Sequence, residues 1–188
     1  MKVSGARMAA CVLGAGLLLA GVSGCGGDDV FTPQGAFLVT FNDSGSTCPV
    51  SGHNAAMGAI SATRRTSVIS DGEGGASVSC IVRGSSTFHV QALASVADKT
   101  LQVAIEELSP SATKEAPSYG RVGFTSPNSV NTYMTEAESP CVFYFANPSQ
   151  GVAPGKLWVT FACPDITAQG GNICELRESY AIFENCEQ

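Results

Sequence analysis

Charge is scarce in this chain, and positive charge is scarcer still. Its 188 residues hold ten Lys and Arg against sixteen Asp and Glu, and charged residues make up only 14 %. A nucleic-acid-binding protein gathers Lys and Arg into a basic footprint, so this balance excludes nucleic acid as a partner. Histidine is limited to His53 and His89, aromatics to 7 % and tryptophan to Trp158. Neither a Gly-x-Ser-x-Gly elbow, a phosphate loop nor a dinucleotide fingerprint is present. His53 falls in Ser51-Gly52-His53-Asn54, a predicted loop, and His89 points out of a predicted strand, so no Ser–His–acid triad can be drawn. The chain reads as non-enzymatic and free of cofactors. No apolar run reaches the ~18 residues that cross a bilayer as a helix, and no stretch carries an apolar helical stripe. The hydrophobic fraction of 44 % nevertheless fits a folded domain.

What is present begins with an address. Lys2 and Arg7 precede or flank the start of Met8–Val22, a stretch without charge, in the pattern of a secretory signal. It ends in Val22-Ser23-Gly24-Cys25, which resembles the bacterial lipobox. There an aliphatic residue and two small ones let the backbone enter the peptidase cleft, and the Cys thiol carries diacylglycerol. The resemblance implies removal of residues 1–24, acylation of Cys25 and attachment to a membrane through the lipid, since two or more chains anchor stably while one does not. Gly26, not Asp, follows the Cys, which by the bacterial sorting rule implies export to the outer membrane. Loss of Lys2 and Arg7 leaves eight basic residues against sixteen acidic, a net charge of −8. Anionic headgroups repel such a surface, so the lipid does the anchoring. Residues 25–35 read as the lipidated Cys and a short linker, and 36–188 as one domain.

Six cysteines remain: Cys48, Cys80, Cys141, Cys163, Cys174 and Cys186. An even count in an oxidising compartment points to three disulfides. Zinc wants close pairs, and the tightest spacing here is eleven residues, Cys163 to Cys174. Fifteen connectivities are open. A predicted strand from Ser179 to Asn185 holds Cys174 and Cys186 too far apart to join. Cys163 and Cys174 flank a predicted loop and are the favoured pair.

The body alternates with period two. Strands are predicted over Ala36–Asn42, Thr66–Ser70, Ser77–Arg83, Thr87–Leu93, Thr100–Glu106, Arg121–Thr125, Cys141–Ala146, Lys156–Cys163 and Tyr180–Asn185. Asp71-Gly72-Glu73-Gly74-Gly75 reads as a hairpin turn joining Thr66–Ser70 to Ala76–Arg83. The fold class is all-β, an antiparallel β-sandwich of about eight strands stapled by disulfides. The carboxylate pairs Glu106-Glu107, Glu136-x-Glu138 and Asp71-Gly-Glu73 read as solvated turns, since calcium needs six to eight oxygens from several segments.

One aromatic feature stands out. In Lys156–Ala162, Leu157, Val159 and Phe161 form the buried face, so alternation sends Trp158 outward. With Tyr144 and Tyr180 on neighbouring strands, Trp158 would form a platform able to stack on a sugar ring or anchor a protein partner.

The lipobox, Ser-Val-Ser-Cys80, Pro-Cys141-Val-Phe, Lys-Leu-Trp158-Val-Thr-Phe-Ala-Cys163-Pro and the ending Phe183-Glu-Asn-Cys186 together resemble uncharacterised outer-membrane lipoproteins of myxobacteria. That resemblance implies an envelope role such as surface contact, gliding or lipoprotein exchange. A looser similarity, to small mycobacterial lipoprotein antigens, implies a bridge between Cys80 and Cys163. The expected function is a non-catalytic binding or structural module of an outer-membrane or cell-surface complex, with an envelope protein as partner. The alternative is a carbohydrate- or lipid-binding carrier.

Overall fold

Alternation of apolar and polar residues decides the architecture. In Leu101-Gln102-Val103-Ala104-Ile105, the first, third and fifth side chains are buried and the intervening two are not, as in a strand with one face on a core. The computed structural model describes residues 31–42, 48–129, 131–168 and 171–188. The signal segment, Cys25 and the linker up to Val30 lie outside the described residues.

Among the described residues the strands are β1 (Gln34–Asn42), β2 (His53–Met57), β3 (Ala59–Ile60), β4 (Arg65–Ser67), β5 (Ile69–Ser70), β6 (Ser77–Gly84) and β7 (Phe88–Val96). They continue with β8 (Lys99–Leu108), β9 (Ser118–Thr125), β10 (Tyr133–Met134), β11 (Cys141–Tyr144), β12 (Gly151–Ala153), β13 (Lys156–Ala168) and β14 (Ile173–Glu184). Twelve of them make one antiparallel sheet, ordered β2-β1-β14-β13-β10-β9-β8-β7-β6. Strand β11 bridges β13 and β9 beside β10, while β12 adds to β13 and β5 to β1. The all-β reading holds. Its strands form one continuous sheet folded over a single core, with β3 and β4 as a separate two-stranded hairpin. Phe41 of β1 meets Phe124 of β9 at 5.9 Å and Tyr133 of β10 at 5.1 Å between ring centroids. Phe37, Phe88, Phe143, Phe161 and Phe183 are buried in the same core.

Two local expectations are corrected. The segment after Cys163 is strand, not loop. Leu157, Val159, Phe161 and Cys163 face inward, but beyond Pro164 and Asp165 the inward residues are Ile166 and Ala168. A bulge shifts the phase there, and its Pro-Asp pair imitates a turn in the sequence. The Asp71–Gly75 turn does not join Thr66–Ser70 to β6 as a hairpin, because β5 pairs with β1 and β4 with β3.

Three buried bridges staple the sheet. They are Cys48–Cys174, Cys80–Cys186 and Cys141–Cys163, with Cα separations of 4.8, 4.8 and 4.2 Å. The favoured Cys163–Cys174 pair is therefore wrong. The two residues lie on adjacent strands but out of step, with Cys163 opposite Leu176 and Cys174 opposite Ile166. Cys80 does not pair with Cys163 either, since Cys163 is taken by Cys141 across β11 and β13. Cys174 and Cys186 are unjoined, as strand β14 between them requires.

Candidate functional site

Trp158, Tyr144 and Tyr180 share the face of the sheet turned away from the core. Tyr144, Thr160, Tyr180 and Leu38 form one cross-strand row through β11, β13, β14 and β1. Trp158, Ile182 and Ala36 form the next. They do not make an open platform. Gly58 lets the chain leave β2 at φ +68°, where a Cβ would lie 2.7 Å from Ser67 O and 2.9 Å from Ala36 Cβ. The β3–β4 hairpin then folds over this face, so that Ile60 and Val68 join Ala36, Leu38, Ile182, Trp158 and Tyr180 in a second apolar cluster. Arg65 pairs with Glu184, and Asn147 Nδ2 donates to Ala62 O, holding the hairpin down. Tyr144 is left 5 % exposed, and Trp158 and Tyr180 are half-buried.

An opening lies beside the hairpin. A cavity of about 310 Å³ is lined by residues including Arg65, Gln150, Lys156, Trp158, Ile182 and Glu184. Gln150 is 7 % exposed, and its Oε1 accepts from the Ala146 N–H (2.7 Å) and from the Thr160 hydroxyl (3.0 Å). Ala146 N–H can only donate, so the carboxamide cannot be flipped and its NH₂ group must point the other way. Among the described residues, neither Gln150 Nε2 nor the Trp158 Nε1–H has an acceptor. A buried donor left unpaired costs about 1–3 kcal/mol. Gln150 was invisible in the sequence except as part of a turn, because the pairing that buries it is made by residues of β13.

The Tyr180 hydroxyl is pushed up to about 12, first by burial, then by its 3.1 Å bond to Glu178 Oε1 and that carboxylate's charge, then by Tyr144. Tyr144 is raised as well, by burial and then by the Glu178 charge.

The opposite outer face, on β6 to β9, carries a larger groove of about 570 Å³. One row across it is Ser79, Leu93, Gln102 and Gly123, and the next is Ile81, Gln91, Ala104 and Arg121. Gly123 leaves room for the Met134 thioether, since a Cβ there would lie 2.8 Å from Met134 Sδ. Ser79, Gln91, Gln102 and Arg121 are exposed, and Met134 is 46 % exposed. Nothing in the sequence singled out this face, because its apolar residues, Ile81 and Leu93, come one from each strand among polar neighbours.

His89 stands on this same face and meets Glu106 at 3.1 Å. His53 opens β2 instead of lying in a loop. It stacks on Phe41 at 5.1 Å, with Nδ1 2.8 Å from Ser51 O and Nε2 2.7 Å from Ser126 Oγ. The pair has the geometry of a base beside a hydroxyl, but Ser126 is 2 % exposed and locked to Ser129 by mutual backbone and side-chain bonds. It ties β2 to the turn after β9. Asp71 and Glu73 are consumed locally, accepting from the Val78 and Ser70 N–H groups. No cluster of three or more metal-ligating side chains occurs among the described residues. No protein-family model, curated protein or solved structure matches the chain.

Proposed function

We propose that this protein is a lipid-anchored, non-catalytic binding module of the bacterial outer membrane or cell surface, presenting its β6–β9 face to an envelope protein partner. The lipobox ending in Cys25 supports the anchor, and three buried disulfides suit an oxidising compartment. The observation that carries the binding role is the asymmetry of the two outer faces. A hairpin covers the face bearing Trp158, while the β6–β9 face keeps an open groove with Ile81, Leu93 and Met134 set among Gln91, Gln102 and Arg121. Apolar side chains ringed by hydrogen-bonding ones are the make-up of a protein-binding patch. The carrier alternative needs a ligand chamber inside the fold, and the space between the layers holds Phe37, Phe41, Phe124, Phe143 and Phe161.

A photo-cross-linker at Gln102, in the groove, and another at the exposed Thr66, on β4, test this in cells. The Gln102 position is expected to give one discrete envelope-protein adduct that Thr66 does not, and Leu93→Glu to abolish it. Equal labelling from both positions would overturn the reading.

A further inference from the structure

The groove on the β6–β9 face is longer across the strands than along them. Its lining takes three consecutive residues from each of four strands, 79–81, 91–93, 102–104 and 121–123, with Met134 at the β9 end and Glu187 at the β6 end. Glu187 bridges Ile81 in parallel, which extends one cross-strand row to Glu187, Ile81, Gln91, Ala104 and Arg121. Four strand spacings of about 4.8 Å put the two ends of this row about 19 Å apart. The ends carry opposite charge, and both side chains are exposed. Among the described residues neither Arg121 nor Glu187 makes an ion pair. Arg83 and Glu106 stand one step further along β6 and β8, and Glu106 meets His89 at 3.1 Å. The second row of the groove, Ser79, Leu93, Gln102 and Gly123, runs beside the first at about 7 Å, two residues along each strand. A helix, roughly 10–12 Å across, is broader than that spacing. An extended backbone is narrower, and at about 3.3 Å per residue it covers the row in about six residues.

With the β6–β9 face as the partner-binding surface, on which this inference rests, we propose that the groove holds an extended segment of the partner laid across the strands. The segment sets an acidic residue on Arg121 and a basic residue on Glu187, about six positions apart. The Arg121 guanidinium can take a carboxylate through two parallel bonds. Opposite charges at a fixed spacing select one register and reject segments of a single sign.

Three end-capped, dye-labelled peptides are titrated into the mature protein in detergent micelles and followed by fluorescence anisotropy. The first is Glu-Val-Ser-Val-Ser-Val-Lys, the second has Gln at both ends, and the third, Glu-Val-Lys-Val-Ser-Val-Ser, sets the charges two apart. The first is expected to saturate, the neutral one to bind about tenfold more weakly and the third about fivefold more weakly, since one exposed ion pair supplies at most about fivefold. Salt at about 1 M is expected to erase these differences. Arg121→Gln and Glu187→Gln are each expected to weaken the first peptide about fivefold and to leave the neutral one unchanged. Neither variant is expected to move the melting temperature, because both side chains are exposed and Glu187 pairs with β6 through its backbone. Equal binding of the charged and neutral peptides overturns the charge recognition, equal binding at the two spacings overturns the extended crossing, and no saturable binding overturns the segment altogether. Charge-blind peptides beside a discrete Gln102 adduct in cells overturn this inference and keep the partner-binding face. Peptide binding as expected without that adduct overturns the envelope partner alone.

Discussion

Cys186 reaches back beyond the end of β14 to bond Cys80 in the middle of β6, and the backbone of the next residue, Glu187, pairs with the same strand on either side of Ile81. Glu187 N–H donates to Cys80 O at 3.0 Å, and Val82 N–H donates to Glu187 O at 2.8 Å. The C-terminal residues thus run beside the β6 edge as a short parallel partner. An edge strand with open N–H and C=O groups invites pairing with other chains, and this tail covers part of that edge.

The three bridges close loops of different length, with sequence separations of 126, 106 and 22 residues. Cross-links of long loops remove more chain entropy from the unfolded state, by about 4.7 kcal/mol for ~100 residues against about 3 for ~15. Cys80→Ala with Cys186→Ala is therefore expected to cost about 1 kcal/mol more in urea unfolding than Cys141→Ala with Cys163→Ala. The reverse order would reject loop entropy as the dominant effect. Thiol titration of the denatured, unreduced protein is expected to find none of these six cysteines free.

Cys25→Ser is expected to release the protein from the membrane fraction, because the acidic mature surface has no attraction of its own for anionic lipid. Fractionation followed by immunoblotting reads the outcome. A variant that stays with the membranes at wild-type level would show that something other than the lipid holds the protein there.

Trp158 is half-buried between the sheet and the β3–β4 hairpin. Trp158→Ala is expected to cost about 2 kcal/mol, under the ~3–5 kcal/mol of a fully buried tryptophan. Its emission is expected between those of buried and free indole, with partial quenching by iodide. Quenching as complete as for free tryptophan would mean that the hairpin does not cover the ring.

Alkali is expected to destabilise the fold. Tyr133, Tyr144 and Tyr180 all hold their protons more tightly when folded, the last up to about 12. Between the ordinary value of 10.0 and about 12, the unfolded chain binds fewer protons than the folded one at Tyr180, so stability falls as pH rises through that window. Tyr180→Phe is expected to flatten the fall, as read by urea midpoints from pH 9 to 12. An identical pH profile for this variant would rule out Tyr180 as its source.

Strands with one buried face were legible in the sequence, because alternation is a local signal. Phe37, Val39 and Phe41 are inward in β1, and Val78, Cys80 and Val82 in β6, as their spacing requires. The side of β13 on which Trp158 stands was legible for the same reason. Strands β2, β10 and β12 were not, since two to five residues carry too little pattern, and β13 was cut short where its bulge breaks the phase.

By itself, then, the sequence determined the all-β class, the six-cysteine framework, and the inward and outward faces of the long strands. Each is written in neighbouring residues or in a count. Tertiary structure alone decided which cysteines pair, because a bridge needs two Cα atoms within a few ångströms, and Cys48 and Cys174, 126 residues apart, meet only where β1 pairs with β14. It likewise decided that a hairpin leaving at Gly58 covers Trp158, and that Ala146 and Thr160 turn the Gln150 carboxamide so that its donors are left unpaired. The bridges and the covering hairpin join segments far apart in the chain, and no local pattern encodes them.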